Sequence, residues 1–358
     1  MRTHLKHKGN DILCRGLFCL RRFRSWFLFL WAIWVVNPVR PSVASQASVG
    51  GGPFPTRNYN PVQLLFLSLS PERATTLSQG TYEVRLEVAE SNTILIESTS
   101  RVDAILKFET FRSSWQLKYG LTDRLEVGLE VPFLYRDGGF LDPFIISVEK
   151  SISHLNPDRI RFTDGKFGGY VIQRDGKTII SGQNRQSGLG DVVLSGKYLV
   201  LVEGERQPAL ALRGAVKLPT GDFDRAFGSG DPDVGVGLAL QKTLGNRWVF
   251  YLNTSVVFPG GNFGATDLTL KPIYTASLAG EFLWTSRFSV VGQIDYDTTP
   301  FHGTGIRILD HGVSEGALGL NYRIRPHLLW QLYGIENFNN PIGAAADFTL
   351  ATDVAYRF

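Results

Sequence analysis

The sequence predicts an all-β protein, an up-and-down antiparallel transmembrane β-barrel of about twelve strands, preceded by a cleaved signal peptide. Three observations lead to this fold class. Apolar and polar residues alternate along many segments, and the connections between these segments alternate between short and long. Glycine accounts for 38 of the 358 residues, above the usual share of about 7%. No apolar run reaches the roughly 18 residues that a helical membrane span needs.

Residues 1–47 have the composition of a secretory signal peptide. Three arginines precede the apolar run at 26–36 (WFLFLWAIWVV), and small residues follow it up to Ala47. A basic region, an apolar region and a small-residue cleavage site are the three parts of such a leader. Cleavage after Ala47 fits best and after Ala44 second best. An uncleaved helical anchor is the alternative, although this run is short for a hydrocarbon core about 30 Å thick.

The rest of the chain differs from this leader in charge and in cysteine content. The formal net charge of +4 arises within residues 1–47, and the remainder is slightly acidic. Both cysteines, Cys14 and Cys19, also lie in the leader, so the exported chain offers neither a disulfide nor thiol chemistry. The even charge balance excludes a basic nucleic-acid-binding tail. We expect residues 48–79 to form a periplasmic or lumenal segment and residues 80–358 to form the barrel.

Period-2 alternation locates the strands. In 81–88 and 348–358, for example, apolar side chains occupy one face and mostly charged ones the other. The predicted strands are 80–97, 102–120, 124–137, 188–203, 207–219, 232–243, 247–258, 271–284, 287–298, 311–324, 328–338 and 345–358. In the second of these the apolar phase changes between Phe108 and Trp115, which predicts a bulge or break near 112–114.

The connections between strands fall into two alternating classes. Short polar turns are expected at 122–123, 203–206, 245–246, 286 and 325–326, and mostly longer, glycine-rich loops at 138–187, 220–231, 260–270, 299–310 and 339–344. Outer-membrane barrels have short periplasmic turns and long outer loops. Closure is required because every backbone polar group in lipid must be paired within the protein. An even strand number leaves both ends of the barrel on the periplasmic side.

The last strand ends in Phe358, with Tyr356 and Val354 on the same face. This arrangement resembles the terminal-Phe signal read by the outer-membrane barrel assembly machinery. We therefore expect that machinery as a partner during insertion, outer-membrane lipid and lipopolysaccharide as the surroundings, and the bacterial outer membrane as the location.

Several short motifs resemble a known family. They are 55–61 (PTRNYNP), 138–142 (GGFLD), 188–198 (GLGDVVLSGKY), 217–222 (KLPTGD) and 228–230 (GSG). In this order they resemble the domain-of-unknown-function family numbered 3187, exported proteins with an expected outer-membrane barrel. The GLGD and KLPTGD stretches are also similar to barrels described as phenol-degradation transporters. The resemblance implies fold and location, and it brings no activity and no catalytic residues.

Each predicted strand has a polar face opposite its apolar one, and this polar face should line the lumen with charges of both signs. The predicted lumen residues are Glu83, Arg85, Glu87, Lys197, Arg213, Lys217, Glu281, Asp295, Asp297, Asp353 and Arg357. Twelve strands enclose a narrower bore than a sixteen-stranded porin. The protein is therefore a narrow channel or transporter for small solutes, or a non-conducting structural or surface-binding barrel closed by ion pairs and by residues 53–80.

The longest loop, 138–187, is expected to carry structure of its own. Asp142 can cap a helix that begins at Pro143. One face of this helix carries Ile145, Val148, Ile152 and Leu155. That apolar stripe would form a lid over the barrel mouth or pack on its rim. Residues 170–180 predict a hairpin with Asp-Gly at its turn.

Two motifs suggest chemistry but lack the context that the chemistry needs. Residues 312–316 (GVSEG) match the G-x-S-x-G hydrolase pattern beside His311. That pattern works on a strand-to-helix turn, and a strand is predicted here, so a lipid hydrolase is a remote alternative. Four aspartates within 220–233 could hold Ca²⁺, but EF-hand spacing is missing and a solvated acidic turn is favoured. We expect no catalytic residue, metal site or cofactor.

Overall fold

A computed structural model describes residues 50–138, 140–151, 170–182, 185–261, 263, 268–338 and 345–358. Within them the strands are β1 (Tyr82–Ser98), β2 (Val102–Thr122), β3 (Leu125–Asp137), β4 (Tyr170–Arg174), β5 (Lys177–Gly182), β6 (Gln186–Leu189), β7 (Val192–Leu201), β8 (Ala209–Leu218), β9 (Asp233–Leu244), β10 (Trp248–Phe258), β11 (Ile273–Leu283), β12 (Phe288–Asp297), β13 (Val313–Arg325), β14 (Leu328–Asn337) and β15 (Phe348–Arg357). The helical elements are a 3-10 turn at Gln63–Leu65, α1 (Asp142–Ser151) and α2 (Arg307–Asp310).

Twelve of these described strands form a closed antiparallel barrel, which confirms the predicted fold. Each wall strand pairs with its neighbours in the chain, and β1 also pairs with β15 from Glu83–Arg357 to Asn92–Phe348. The strands β4, β5 and β6 belong to the long loop and extend the edge of the wall. No helix in the described part of the chain is long and apolar enough to cross a membrane.

The short and long connections lie at opposite ends of the barrel. We call the end with the short turns the turn end and the other the loop end. β1 begins and β15 finishes at the turn end, where Tyr82 and Phe358 exchange backbone hydrogen bonds of 2.9 and 3.0 Å. In an outer-membrane barrel the turn end faces the periplasm.

β1 and β2 are longer than a membrane crossing requires. They have 17 and 21 residues, whereas a tilted transmembrane strand needs about 9–11. The excess projects from the loop end, where β4 pairs with β2 and β5 with β4. We call this projection, residues 93–108 with β4 and β5, the loop-end sheet. The predicted β4–β5 hairpin is confirmed, and its turn residues Asp175 and Gly176 have φ of 51° and 76°, as a type I′ turn requires.

The predicted bulge near 112–114 is wrong. β1 and β2 stay in one register through Ala89–Arg112 and Glu87–Ser114. The inward face of β2 simply changes its surroundings. Leu106 and Phe108 are buried near the loop end, whereas Arg112 and Lys118 of the same face meet polar groups further down. Near the loop end the apolar residues of β2 therefore face the lumen, whereas further down Trp115 and Leu117 face the lipid. The alternation shifts in the sequence because the lumen changes from apolar to polar along this strand.

The outer face of the wall is apolar. On β9, for instance, Val234, Val236 and Leu238 are exposed, while Asp233, the first residue of this strand, points inward and is fully buried. Exposed apolar side chains recur in this way around the wall. A contiguous apolar surface of this size would aggregate in water, and it suits the hydrocarbon layer of a bilayer.

Candidate functional site: a plugged lumen

The lumen contains the N-terminal segment of the described chain. Residues 50–79, which we call the plug, start at the turn end, rise along the wall to the loop end, turn there at Gln63–Leu65, and descend along the opposite wall. Gly80 then donates a backbone hydrogen bond of 2.9 Å to Gly120 and the chain enters β1. The plug is thus an inverted U whose two legs run along the lumen and whose two ends lie at the turn end. Polar side chains of the wall pair with its backbone.

The first leg begins against Glu281. The carboxylate of Glu281 accepts hydrogen bonds from the backbone N–H groups of Gly51 (2.7 Å) and Gly52 (3.2 Å) and from the Tyr251 hydroxyl (2.6 Å). Asn321 donates to the Gly52 carbonyl at 3.0 Å. Glu281 is fully buried, so these donors replace the water that a carboxylate would otherwise need.

Higher in the lumen the first leg contacts three further wall strands. Phe54 stacks on Tyr333 with ring centroids 4.4 Å apart, and its backbone N–H donates to Gln293 at 3.0 Å. The Thr56 hydroxyl donates to Asp295 at 2.8 Å, and the Tyr59 hydroxyl donates to Glu87. The leg is therefore held by a mixture of stacking and polar contacts.

The top of the plug is sealed by apolar residues. Val62, Leu65, Phe66, Leu67 and Leu69 pack in one cluster with inward residues of the loop-end sheet and of the outer loops. Phe66 meets Phe263 and Phe301 at centroid distances of 5.9 and 5.8 Å. We call this group the apex cluster. It explains why Leu106 and Phe108 face inward, since they belong to it.

A buried polar network lies beneath the apex cluster. The Lys217 ammonium is 3.0 Å from Asp191 and 2.9 Å from Asp233 and donates to the Leu65 carbonyl at 2.7 Å. Asp233 accepts the backbone N–H of Leu67 at 2.8 Å. Leu65, which ends the 3-10 turn, and Leu67, two residues later, are therefore both held by one lysine–aspartate group.

The motif segments of the family resemblance build this network together. Asp191 of the GLGD stretch accepts backbone N–H groups of Gly221 (2.8 Å) and Ser229 (3.2 Å), which belong to the KLPTGD and GSG stretches. A Cβ added at Gly228 would lie 2.4 Å from the Asp191 carboxylate, so only glycine fits there. Asp191 lies 30 and 38 residues before Gly221 and Ser229 in the sequence, and the three stretches meet where the plug turns.

The second leg carries Glu72, on which three cations converge. Its carboxylate lies 2.6 Å from Lys118, 3.1 Å from Lys197 and 2.8 Å from Arg213. Arg213 also donates to the Leu69 carbonyl at 3.4 Å and to that of Ser70. Glu126 is 2.9 Å from Lys197 and accepts the Leu77 N–H at 2.7 Å.

The structure places the predicted lumen residues on inward-facing positions of the wall strands. Glu83, Glu87, Lys197, Lys217, Glu281, Asp295 and Asp353 are buried, and Arg85, Arg213, Asp297 and Arg357 are half-buried. They form several separate groups. Arg85 pairs with Asp353 at 3.0 Å, and Arg357 with Glu83 at 2.6 Å.

Sequence reasoning missed Glu72, Arg112 and the role of Asp191. Arg112 pairs with Glu87 at 3.0 Å and also with Glu130. Because a bulge was expected at 112–114, the alternation did not indicate that this side chain points into the lumen. Asp191 could have been found from its place in the GLGD stretch. Glu72 lies in a segment without periodicity, so no pattern pointed to it.

The predicted lid is described only in part. α1 covers most of the expected helix, and Ile145 in it is buried. The two residues before α1 are held by Glu109, which accepts hydrogen bonds from the Phe140 and Leu141 N–H groups at 2.7 Å each. Ile152 and Leu155, and the Val148 side chain, lie outside the described residues.

The two remaining predicted motifs have ordinary structural settings. Ser314 lies on β13, which continues as a strand to Arg325. In the acidic turn, Asp233 pairs with Lys217, and Asp222 accepts the Arg225 N–H at 3.2 Å. Within the described residues no group of three or more His, Cys, Asp or Glu side chains has metal-binding geometry.

A closed barrel with an apolar outer face and a charged lumen defines a bacterial outer-membrane β-barrel protein. The COG4313 outer membrane channel from Pseudomonas putida F1 has a similar structure, with a TM-score of 0.56 over 81% of this chain and 100% of that one, at 16% identity. This likeness shows the shared fold. The NanC porin is more distant, with a TM-score of 0.42 at 8% identity over 77% of this chain and 98% of that one.

The sequence comparison gives the family. The profile of the DUF3187 family, described as a protein of unknown function, matches residues 28–358. The chain therefore belongs to this family, as the motif resemblance implied. A search of curated proteins found no match.

Proposed function

We propose that the protein is an outer-membrane channel for small solutes that is closed in the described state by its plug. The wall behind the plug supports this proposal. Glu281, Gln293 and Asp295 on one side, and Lys197 and Arg213 on the other, bond to plug groups that water could replace. Without the plug these polar side chains would line an aqueous bore, as in other channels.

The domain arrangement fits this function. Residues 1–47 would be removed on export, residues 48–79 would act as the plug domain, and residues 80–358 would form the barrel with the structured outer loop 138–187. Both ends of the plug lie at the turn end, so the plug would leave toward the periplasm by withdrawing its top from the apex cluster.

A non-conducting barrel is the second candidate, and the apex cluster favours it. Phe66, Leu67 and Leu69 are buried against outer-loop residues, and burial of each is worth roughly 1.5–3 kcal/mol. A plug held this firmly would serve as a rigid core for a structural or surface-binding barrel.

A lipid hydrolase has little support. The hydrolase motif needs its serine on a sharp strand-to-helix turn, whereas Ser314 alternates along β13 with the buried Glu315. We assign no catalytic role to it.

A reversible cross-link separates the two candidates. The only cysteines of the sequence lie in residues 1–47, and the Thr56 hydroxyl lies 2.8 Å from the Asp295 carboxylate. In Thr56→Cys/Asp295→Cys, a short bis-methanethiosulfonate reagent, which joins the two thiols through disulfide bonds and releases methanesulfinate, should fix the plug to the wall and abolish single-channel openings in planar bilayers. Dithiothreitol should restore them, and single-cysteine Thr56→Cys should be indifferent to the reagent. An absence of openings in wild-type, reduced and plug-deleted protein would favour the non-conducting barrel.

A further inference from the structure

We infer that Lys118, Lys197 and Arg213 form a binding site for a small organic carboxylate, and that Glu72 of the plug occupies this site as a tethered ligand. This inference rests on the proposed function, because it names the solute class and the means by which the channel is kept closed. Such a solute would compete with Glu72 for the same three cations.

The site is built by the wall. Lys118 is on β2, Lys197 on β7 and Arg213 on β8, and all three point to one spot. Lys197 and Arg213 have side chains only 6% and 7% exposed. Three cations held this close repel each other, so the arrangement is favourable only with anionic charge among them.

Glu72 supplies that charge in a form that a free carboxylate could copy. Arg213 donates through Nε to Oε1 at 2.8 Å, while Lys118 and Lys197 donate to Oε2 at 2.6 and 3.1 Å. Both carboxylate oxygens are therefore used, which is the pattern by which cationic side chains recognise carboxylates.

The local charge balance leaves the site cationic once Glu72 withdraws. Glu126 is the wall carboxylate within 4 Å of two of the three cations, at 2.9 Å from Lys197 and 3.8 Å from Lys118. Glu83, the next carboxylate along the wall, is paired with Arg85 and Arg357. Of these two wall carboxylates, Glu126 lies within 4 Å of the site's cations, while Glu83 is shared with Arg85 and Arg357. The three cations therefore outnumber the wall carboxylates beside them, so the open lumen would favour anions at this level.

Replacement of the missing carboxylate by acetate tests the site without any need for conduction. Glu72→Ala removes the atoms that acetate contains. In purified Glu72→Ala, sodium acetate should raise the unfolding temperature above its value in sodium chloride of equal ionic strength, because a ligand that binds only the folded state stabilises it. Wild type and Glu205→Ala, which removes a glutamate from an exposed turn, should show no such difference.

The wall variant shows whether these cations are responsible. In Glu72→Ala/Lys197→Met the acetate effect should be lost, whereas in Glu72→Ala/Lys242→Met, which removes a lysine at the turn end, it should persist. A folded Glu72→Ala barrel with no acetate effect, or an effect that survives Lys197→Met, would overturn the site. An equal effect of inorganic phosphate would overturn its preference for carboxylates.

Conductance decides whether the site acts in transport. In a KCl gradient the reversal potential of Glu72→Ala should lie toward the chloride equilibrium potential, and Lys197→Met should move it back. Cation selectivity in Glu72→Ala would refute the solute class while leaving a channel in place. A Glu72→Ala barrel that binds acetate but never conducts would instead refute the proposed function and retain the site.

Discussion

At the residue scale, Lys217 links the wall to the plug. It is 2% exposed, pairs with the two carboxylates of Asp191 and Asp233, and bonds to the plug. We predict that Lys217→Met destabilises the barrel by about 3–5 kcal/mol, because two buried carboxylates lose their cation. The loss is measured by the temperature at which the folded band disappears on heat-modifiable gels.

The control for this substitution is Lys242→Met. Lys242 bonds to the Gly204 and Glu205 carbonyls in a turn, so its loss should matter little. Adding Asp191→Asn to Lys217→Met should recover part of the stability. Equal stability of Lys217→Met and wild type would contradict the network described here.

Phe358 carries a second residue-scale prediction. It is 62% exposed on the lipid side, and its ring stacks with Tyr82 at 5.5 Å across the closing seam. Removal of Phe358 should lower the amount of folded barrel in membrane fractions more than it lowers the unfolding temperature of the barrel that does form.

Two variants separate the terminal signal from ordinary aromatic contacts. Phe358→Ala keeps the backbone pair with Tyr82 and should still reduce assembly. Phe250→Ala removes a lipid-facing aromatic from within a strand and should leave assembly near normal. Wild-type amounts of folded barrel after deletion of Phe358 would show that the terminal residue is not needed.

At the scale of elements, the β4–β5 hairpin carries an exposed ion pair at its turn. Arg101 donates two hydrogen bonds of 2.8 Å to Asp175 in the hairpin turn, and these lower the pKa of Asp175 below its ordinary value of 3.8. A depressed carboxyl pKa adds stability above the unfolded pKa, and this is lost as the pH falls through the folded value.

Hydrogen exchange measures this effect. Protection of the amides in 170–182 should be unchanged between pH 8 and pH 5 and should fall in more acidic solution, after correction for intrinsic rates. Asp175→Asn should remove the acid-dependent part. The same acid profile in Asp175→Asn would assign the loss to other groups. Because the Arg101 and Asp175 side chains are 66% and 48% exposed, water screens the pair and we expect a small effect.

The long loop carries the second prediction at this scale. Burial of Ile145 fits a packed helix, and we predict that the stripe formed by Ile145, Val148, Ile152 and Leu155 faces the barrel mouth. Replacement of 143–155 by a Gly-Ser segment of equal length should then raise conductance or antibiotic uptake in a folded barrel. Unchanged permeability would show that the helix packs on the rim and takes no part in closing the barrel.

Strands were predictable from the sequence because successive side chains of a wall strand point alternately to the lipid and to the lumen. All twelve wall strands were found in this way, whereas the β4–β5 hairpin was predicted from its Asp-Gly turn. The reasoning failed in β2 because it assumed that the inward face is polar along its whole length. Phe108 and Arg112 share that face, one in the apex cluster and the other in the polar lumen.

At the scale of the whole molecule, the path of the plug could not be derived from the sequence. Residues 53–80 were considered as a closure of the lumen, but no periodicity indicated which wall groups they meet. The contacts of Gly51 with Glu281 and of Leu67 with Asp233 span 230 and 166 residues. Both of these bonds come from backbone N–H groups of the plug, which any residue type except proline would provide, so the sequence does not reveal them.

The plug and the barrel should have separable stabilities. The wall closes through backbone pairing of β1 with β15, which does not require residues 50–79. We predict that a chain without 50–76 still forms a heat-modifiable barrel but unfolds at a lower temperature, because buried wall charges such as Glu281 lose their partners. Failure of this chain to fold would make the plug an essential core.

The inverted-U path also has a mechanical consequence. The first leg rises from the turn end to the 3-10 turn, so a force that draws Gly50 out of the turn end acts along the length of this leg. Its bonds to Arg323, Glu281, Gln293 and Asp295 would then be loaded together, in shear. A hairpin pulled apart sideways breaks its bonds one after another and opens at a lower force. The plug should therefore resist a pull from the periplasmic side more strongly than the same number of bonds would resist being opened in sequence.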